Sequence, residues 1–415
     1  MKQLLAYCLS IILCVSFTGC MENYLDLYPE DKITSASFPE NESDIKLLLN
    51  GVYAQLREKE VYNQGLFGFG ITDGATPNAF NWGTDEVFNK LGAGRLSSSD
   101  GGVVTYRWKR CYEIISRANY LLACMDLVDL SEEAKAKYSG ETHFLRGLAY
   151  SVLAETYGGV PIILTNISTE EARSLKRASL EETWQQALDD YEVAITNLGV
   201  DAPEPGRATK GAALGMKMRA YLYQGKYKEV LSCVEQIDAL KKYGLFHSYE
   251  GLFDPANENN KEVLFDIQYI EGENSQGSYI DQYCGTGTGS WTRGSRYVPT
   301  DDLVAAYETI DGSPVDPENP YENRDPRLGF TAVLPGSYFL GYRFPNYLYP
   351  GGAFNHAGNR LKHLSTRKYR IQDESKLPPS GQSYINDIIL RYADVLLSKA
   401  EAIIETNGSV ADAIA

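Results

Sequence analysis

Two stretches of this chain carry residue types suited to molecular recognition. Asp73-Gly-Ala-Thr-Pro-Asn-Ala-Phe-Asn-Trp82 sets Trp82 beside Asp73, Asn78 and Asn81. Tyr279-Ile-Asp-Gln-Tyr-Cys-Gly-Thr-Gly-Thr-Gly-Ser-Trp-Thr-Arg293 sets Trp291 beside Asp281, Tyr283 and Arg293. An indole offers a flat apolar face, whereas carboxylate, amide and guanidinium groups supply directed hydrogen bonds. Held on loops over a rigid frame, that mixture binds a ligand with an apolar face and a polar rim. Core packing is the competing role for each tryptophan.

Bond-making chemistry is less well provided for. Gly285-Thr-Gly-Thr-Gly289 lacks the Gly-Lys-Ser/Thr of a phosphate loop and reads as a hinge. His143, His247, His356 and His363 are scattered, without a His-Glu-x-x-His pattern, so no metal catalysis and no cofactor is expected. Asp311, Asp316, Glu318 and Asn319 offer oxygens, but not in EF-hand order. Arg324-Asp-Pro-Arg327 reads as a turn with an ion pair. Glycoside hydrolysis would need two carboxylates about 5 to 5.5 Å apart, or wider for inversion, and sequence cannot measure that separation.

Composition narrows the classes further. The 415 residues suffice for a large core, and 43% apolar with 23% charged residues is ordinary for a globular protein. A formal net charge of −16 disfavours nucleic acid, since no dense basic run reverses it. The 30 tyrosines exceed Phe and Trp and suit half-wet positions.

The elements that must position these residues are helical. Leu145, Leu148, Ala149, Val152, Leu153 and Thr156 recur at helical spacing, with Phe144, Ala154 and Tyr157 on the other side, so this helix is wrapped by neighbours. Gly158-Gly-Val-Pro161 stops it and turns the chain away. Before it, a helix begins near Ser43 and another carries Val104, Trp108, Cys111, Ile115, Ala118, Leu122 and Met125. The long segment between them, Tyr62 to Asp100, is irregular. Ser131 is a cap for the wrapped helix, and Ser179-Leu-Glu-Glu182 is a capping box. Ala212 to Tyr223 and Tyr227 to Leu240 form a helix pair around Gly225, with the small-residue and aromatic spacing of a tetratricopeptide repeat. Such pairs stack into a solenoid. A last apolar helix is expected from Ile388 to Ile404.

The N-terminus resembles a bacterial lipoprotein signal. Lys2 precedes an apolar run, Leu4 to Val15, too short to span a bilayer, and Phe17-Thr-Gly-Cys20 ends it. That resemblance implies cleavage before Cys20 and acylation of its sulfur, an anchor without a membrane span. Cys111, Cys124, Cys233 and Cys284 then remain, with no paired spacing, so no metal site is expected, while a disulfide stays open.

A family resemblance spans nearly the whole mature chain. Glu141, Phe144-Leu-Arg-Gly147, Tyr150, Tyr157-Gly158 and Val160-Pro-Ile162 resemble the helix-and-exit signature of SusD-like (RagB) outer-membrane lipoproteins of Bacteroidetes. Trp108, Ile115, Ala118-Asn119, Arg296-Tyr-Val-Pro-Thr-Asp-Asp-Leu303, Asp311-Gly312, Asn323-Arg-Asp-Pro-Arg-Leu328, Arg367-Lys-Tyr369 and Leu390-Arg-Tyr-Ala-Asp-Val-Leu-Leu397 follow in the family's order. The resemblance implies a mainly α fold, with tetratricopeptide-like helix pairs stacked as a solenoid and a loop-rich ligand-binding part. It also implies a non-catalytic, lipid-anchored glycan receptor on the cell exterior, partnered by a SusC-like TonB-dependent transporter. A pyranose has an apolar C–H face and a hydroxyl rim, which the Trp82 and Trp291 stretches suit.

The expected divisions are a signal over 1–19, a lipidated tether over 20–42, a helical part over 43–260, a loop-rich part over 261–386, and the start of a final helix pair over 387–415. The family continues beyond its Leu-Arg-Tyr-Ala helix into a partner helix, so a C-terminal truncation is expected, with Asn407-Gly408 a turn and Val410 onward a helix start. A surface glycoside hydrolase and a peptide-binding tetratricopeptide scaffold are the alternatives.

Overall fold

Local sequence rules account for where the helices begin. The Asn41 side chain accepts from the Asp44 amide and opens α1 (Glu42–Ala54), whose buried stripe is Ile45, Leu49 and Val52. The computed structural model describes residues 38–57, 73–81, 90–97, 99–271, 277–278, 280, 297–344, 364–369, 371, 373–378 and 382–414. The lipoprotein signal, Cys20 and Cys284 lie outside these residues.

Next, α2 (Val103–Cys124) leads to α3 (Glu132–Tyr157), which Ser131 caps by accepting from the Ala134 amide. After the short α4 (Thr169–Ser174), the Ser179–Glu182 capping box opens α5 (Leu180–Asn197). Then α6 (Lys210–Tyr223) and α7 (Tyr227–Ala239) pack against each other across Gly225, whose φ of 67° suits glycine. These are the expected helix pairs, and the chain is mainly α with tetratricopeptide-like stacking.

At the centre lies α3, wrapped as its all-round apolar pattern requires. Every residue from Phe144 to Ala154 is buried, against α2 on one side and α5 on the other. Gly147 allows the close approach to α5: a Cβ there would sit 3.0 Å from the Asp190 Cβ and 3.1 Å from the Ala187 carbonyl oxygen. Phe144 packs edge-on to Phe265, with ring centroids 4.9 Å apart, which joins the helices to the strand that follows them. Fully burying a side chain of this size contributes about 1.5 to 3 kcal/mol.

Polar groups inside this core are paired. Arg146 donates from Nε to both oxygens of Asp190 (3.2 and 3.0 Å), from Nη2 to Asp190 Oδ1 (2.7 Å) and from Nη1 to Asn119 Oδ1 (2.8 Å). His143 Nδ1 lies 2.7 Å from the same Asp190 oxygen. Burial pushes the Asp190 carboxyl up, yet the hydrogen bonds and charges of His143 and Arg146 outweigh it and hold the carboxyl below its usual range. Tyr53 donates to Glu141 (2.8 Å) and accepts from the Ala208 amide (2.9 Å), fastening α1 to α3.

The exit from α3 is held by side chains in place of a sheet. Gly158 closes the helix with φ 77°. Tyr150 both donates to the Ile163 carbonyl and accepts from its amide, at 2.9 and 2.8 Å. Asn119 Nδ2 donates to the carbonyls of Ile163 and Thr165, Tyr112 to that of Pro161, and the Arg177 guanidinium to those of Tyr157 and Gly159. Backbone groups leaving a helix need such partners.

Most of the remaining described residues form short elements and loops. β1 (Ala79–Asn81) pairs antiparallel with β3 (Tyr297–Pro299), and β2 (Val263–Ile267) with β8 (Asp387–Arg391). β4 (Ala332–Val333) pairs with β7 (Ser365–Thr366), and β5 (Tyr338–Phe339) with β6 (Tyr342–Arg343). Short helices α8 (Asp301–Ala306) and α9 (Arg327–Thr331) precede this hairpin. Leu264, Phe265 and Leu390 join the main helical core, while Leu252, Phe253, Tyr369, Ile371 and Ile385 belong to a second cluster.

One expectation is corrected here. The helix placed from Ile388 to Ile404 starts at Tyr392, as α10 (Tyr392–Glu405), because Asp387–Arg391 is a strand. A short apolar run has no periodicity to separate strand from helix. Pairing with β2 decides it: Arg391 Nη1 bonds Glu262 Oε1 at 2.7 Å, and the Tyr392 amide donates to the Glu262 carbonyl at 2.7 Å. Asn407, with φ 60°, and a Gly408 amide donating to Ile403 O close α10 as the expected turn, and α11 (Val410–Ile414) follows. Cys111, Cys124 and Cys233 are buried free thiols.

Candidate ligand-binding ribbon

β1 lies within the first stretch of candidate ligand residues, and β3, its partner, follows the second in sequence. Ala79 pairs with Pro299, Phe80 with Val298 and Asn81 with Tyr297. β1 therefore ends at the residue before Trp82, at the same end of the ribbon where β3 begins, four residues after Arg293. Trp82, Asp281, Tyr283, Trp291 and Arg293 themselves lie outside the described residues.

The ribbon is anchored at its other end. The Thr300 amide donates to Asn78 O at 3.1 Å, its hydroxyl donates to Pro77 O, and that hydroxyl also accepts from the Leu303 amide to cap α8. Asn78 is exposed, and its amide donates to Thr76 Oγ1 at 3.1 Å. Phe80 is 38% exposed, whereas its cross-strand partner Val298, on the same face of the ribbon, is buried. Asn81 falls in β1, opposite Tyr297.

Asp73 is drawn into a different environment from the one sequence reasoning gave it. It opens a one-turn helix, Asp73–Ala75, and is only half exposed. Burial raises its carboxyl above the usual range, with the Lys368 charge opposing. Lys368 is pushed down to about 8 by burial and by Arg391, against Asp73 and Asp387. Its Nζ lies 4.5 Å from the centroid of Phe253 and 5.4 Å from that of Tyr369. Asp387 is pushed up to about 7 by burial and by the charges of Asp266 and Asp73, against Lys368. Neither Lys368, within Arg367-Lys-Tyr369, nor Asp387, at the head of an apolar run, is singled out by the sequence as a candidate ligand residue, and only the fold brings their charges into interaction.

Further acids near β2 have structural partners. Asn386 donates from Nδ2 to Asp266 Oδ2 (3.1 Å) and from its amide to Glu258 Oε1 (2.7 Å), while its Oδ1 accepts from the Tyr269 amide. Burial lifts Asp266 to about 6 and Glu258 to about 7. Among the described residues no group of three or more His, Cys, Asp or Glu could hold a metal ion. Asp311 and Asp316 accept from their own loop, at the Ser313 and Glu318 amides. The expected ion pair near residue 325 joins Asp325 and Arg327 at 2.5 Å, whereas Arg324 is buried and donates to the carbonyls of Val304, Tyr307 and Pro320. No described helix is long and apolar enough to cross a membrane.

Stacked helix pairs holding a short ribbon and its loops define a tetratricopeptide-like binding scaffold. Residues 23–222 match the profile described as "Starch-binding associating with outer membrane", and residues 261–415 match that of the SusD family. The chain belongs to the SusD family, whose description associates it with the outer membrane. SusD-like protein P25 of Formosa agariphila is 26% identical over 321 residues, covering 72% of this chain; the chain spans 58% of that relative's length. The crystal structure of a SusD-like carbohydrate-binding protein from Bacteroides fragilis matches with TM-score 0.78 and 27% identity, over 89% of this chain and 75% of that one. A laminarin-binding SusD-like protein shares the fold, with TM-score 0.66 and 21% identity, over 90% of this chain and 83% of that one.

Proposed function

We propose that this protein is a non-catalytic glycan receptor, anchored by an acylated Cys20 on the outer face of the outer membrane, that passes oligosaccharide to a SusC-like TonB-dependent transporter. The observation that carries the reading is the β1–β3 register, which supports a single site built by the Trp82 and Trp291 stretches. Asp73, Asn78, Asn81, Asp281, Tyr283 and Arg293 supply its polar rim. Family membership and the carbohydrate-binding and laminarin-binding descriptions of the structural relatives point the same way. Two of the raised acids, Asp266 and Glu258, accept hydrogen bonds from Asn386.

The test is a glycan array probed with the full chain in detergent, together with a reducing-sugar assay on each hit. Retention of an oligosaccharide without release of reducing ends is the expected result. An array without hits, or steady hydrolysis of a bound glycan, would overturn the reading.

A further inference from the structure

We propose a second carbohydrate subsite, away from the ribbon, in the cleft between the α5–α6 connection and the start of β2. The cleft has a volume of about 410 Å³, within the usual range for small-ligand sites. Its floor is Val263 to Asp266 of β2, a strand that among the described residues pairs only with β8.

One wall is a flat aromatic. Tyr243 lies against the backbone of Gly211, where a Cβ would come within 2.2 Å of the phenol oxygen, and that hydroxyl is 3.2 Å from Thr209 Oγ1. The other wall is Asn259-Asn-Lys261, tied to the first because the Gly244 amide donates to Lys261 O at 3.2 Å. Asn259 exchanges two hydrogen bonds with Gln268 (3.3 and 3.1 Å), and Asn260 accepts from the Glu262 amide (2.9 Å) while donating to Asn257 O (2.8 Å). Both amides are thus fixed, and each keeps one N–H and one lone pair unspent.

The charges of the cleft are nearly balanced. Lys242 is paired with Asp201 at 2.9 Å, and Arg207 with Glu204 at 3.1 Å. Lys261 is exposed, and its ammonium has no hydrogen-bond or ion-pair partner among the described residues. A strongly anionic ligand would have to break existing pairs. A neutral polyol would not, because its C–H face can lie on Tyr243 while its hydroxyls meet the free capacity of Asn259, Asn260 and Lys261. The ligand class is therefore a neutral sugar unit of an oligosaccharide. This inference rests on the glycan-binding reading but not on the tryptophan site.

The experiment is calorimetric titration of the full chain in detergent with laminari-, xylogluco- and malto-oligosaccharides. Four proteins are compared: wild type, Lys261→Ala, Tyr243→Ala and a Trp82→Ala/Trp291→Ala double variant. Two binding events are expected in the wild type. Lys261→Ala and Tyr243→Ala should each weaken one of them at least tenfold and leave the other, while the double tryptophan variant should keep the event that these two lose. The Lys261 side chain is exposed and has no partner among the described residues, so its variant keeps the proposal testable if Tyr243→Ala does not fold. A single event in the wild type that Lys261→Ala and Tyr243→Ala leave intact overturns this proposal alone. Absence of any titration in all four proteins overturns it together with the glycan-binding reading.

Discussion

Replacing Arg146 by Met tests whether the buried polar network holds the helical frame. Arg146 is 6% and Asp190 1% exposed, and the guanidinium makes three of its hydrogen bonds to that carboxylate. Removing one member of such a pair leaves an uncompensated charge, which costs about 3 to 5 kcal/mol. Methionine retains much of the side-chain volume, so the loss is electrostatic more than a cavity. Urea unfolding, followed by helical circular dichroism, should show the unfolding free energy falling by that amount through a lower midpoint, with the slope unchanged. Arg146→Met/Asp190→Leu should be less unstable than the sum of its single variants, by at least about 1 kcal/mol, because neighbours in one network couple. The pH dependence has a definite sign. A carboxyl held low in the folded state contributes stability above its unfolded pKa of about 3.9, and that stability is lost as pH falls through the folded value. The gap between wild type and Arg146→Met should therefore narrow in acid. A single-variant loss under about 1 kcal/mol, or strict additivity, would refute the assignment.

Two further perturbations follow from the same structure. Asp387 is lifted to about 7 by burial and by nearby acids, so the folded state holds a proton that the unfolded chain releases near pH 4. Stability should fall as pH rises from about 4 to 7, and Asp387→Asn should flatten that slope in a denaturant series; an identical slope in the variant would exclude Asp387 as its source. Ser179→Ala removes the acceptor for the Glu182 amide at 3.1 Å, and should lower stability by about 1 kcal/mol in urea. An unchanged midpoint would contradict the capping role.

Much of the frame was legible because its rules are local. Ser131 and Ser179 cap where their hydroxyls meet the amide three residues on, and Gly158 stops α3 where a positive φ is needed. The all-round burial of α3 followed from apolar residues on every side. What could not be read were pairings across long separations. Asp387–Arg391 became a strand only because Val263–Ile267 lies beside it, and Arg324 became a buried cap only because α8 ends there. For the candidate site, composition picked out the Trp82 and Trp291 stretches, but the Asn81–Tyr297 pairing that follows the second of them is a long-range contact with no signal in the sequence. The burial that raises the Asp73 carboxyl, and the Lys368 charge that opposes it, could not have been inferred from its neighbours in sequence.

The central claim is that the two tryptophan stretches form one glycan site. Affinity for the best glycan from the array, measured by calorimetry on Trp82→Ala and on Trp291→Ala, tests it most directly. Each variant should bind at least tenfold more weakly, about 1.4 kcal/mol, while unfolding at the wild-type urea midpoint. Wild-type affinity in both folded variants would contradict the account.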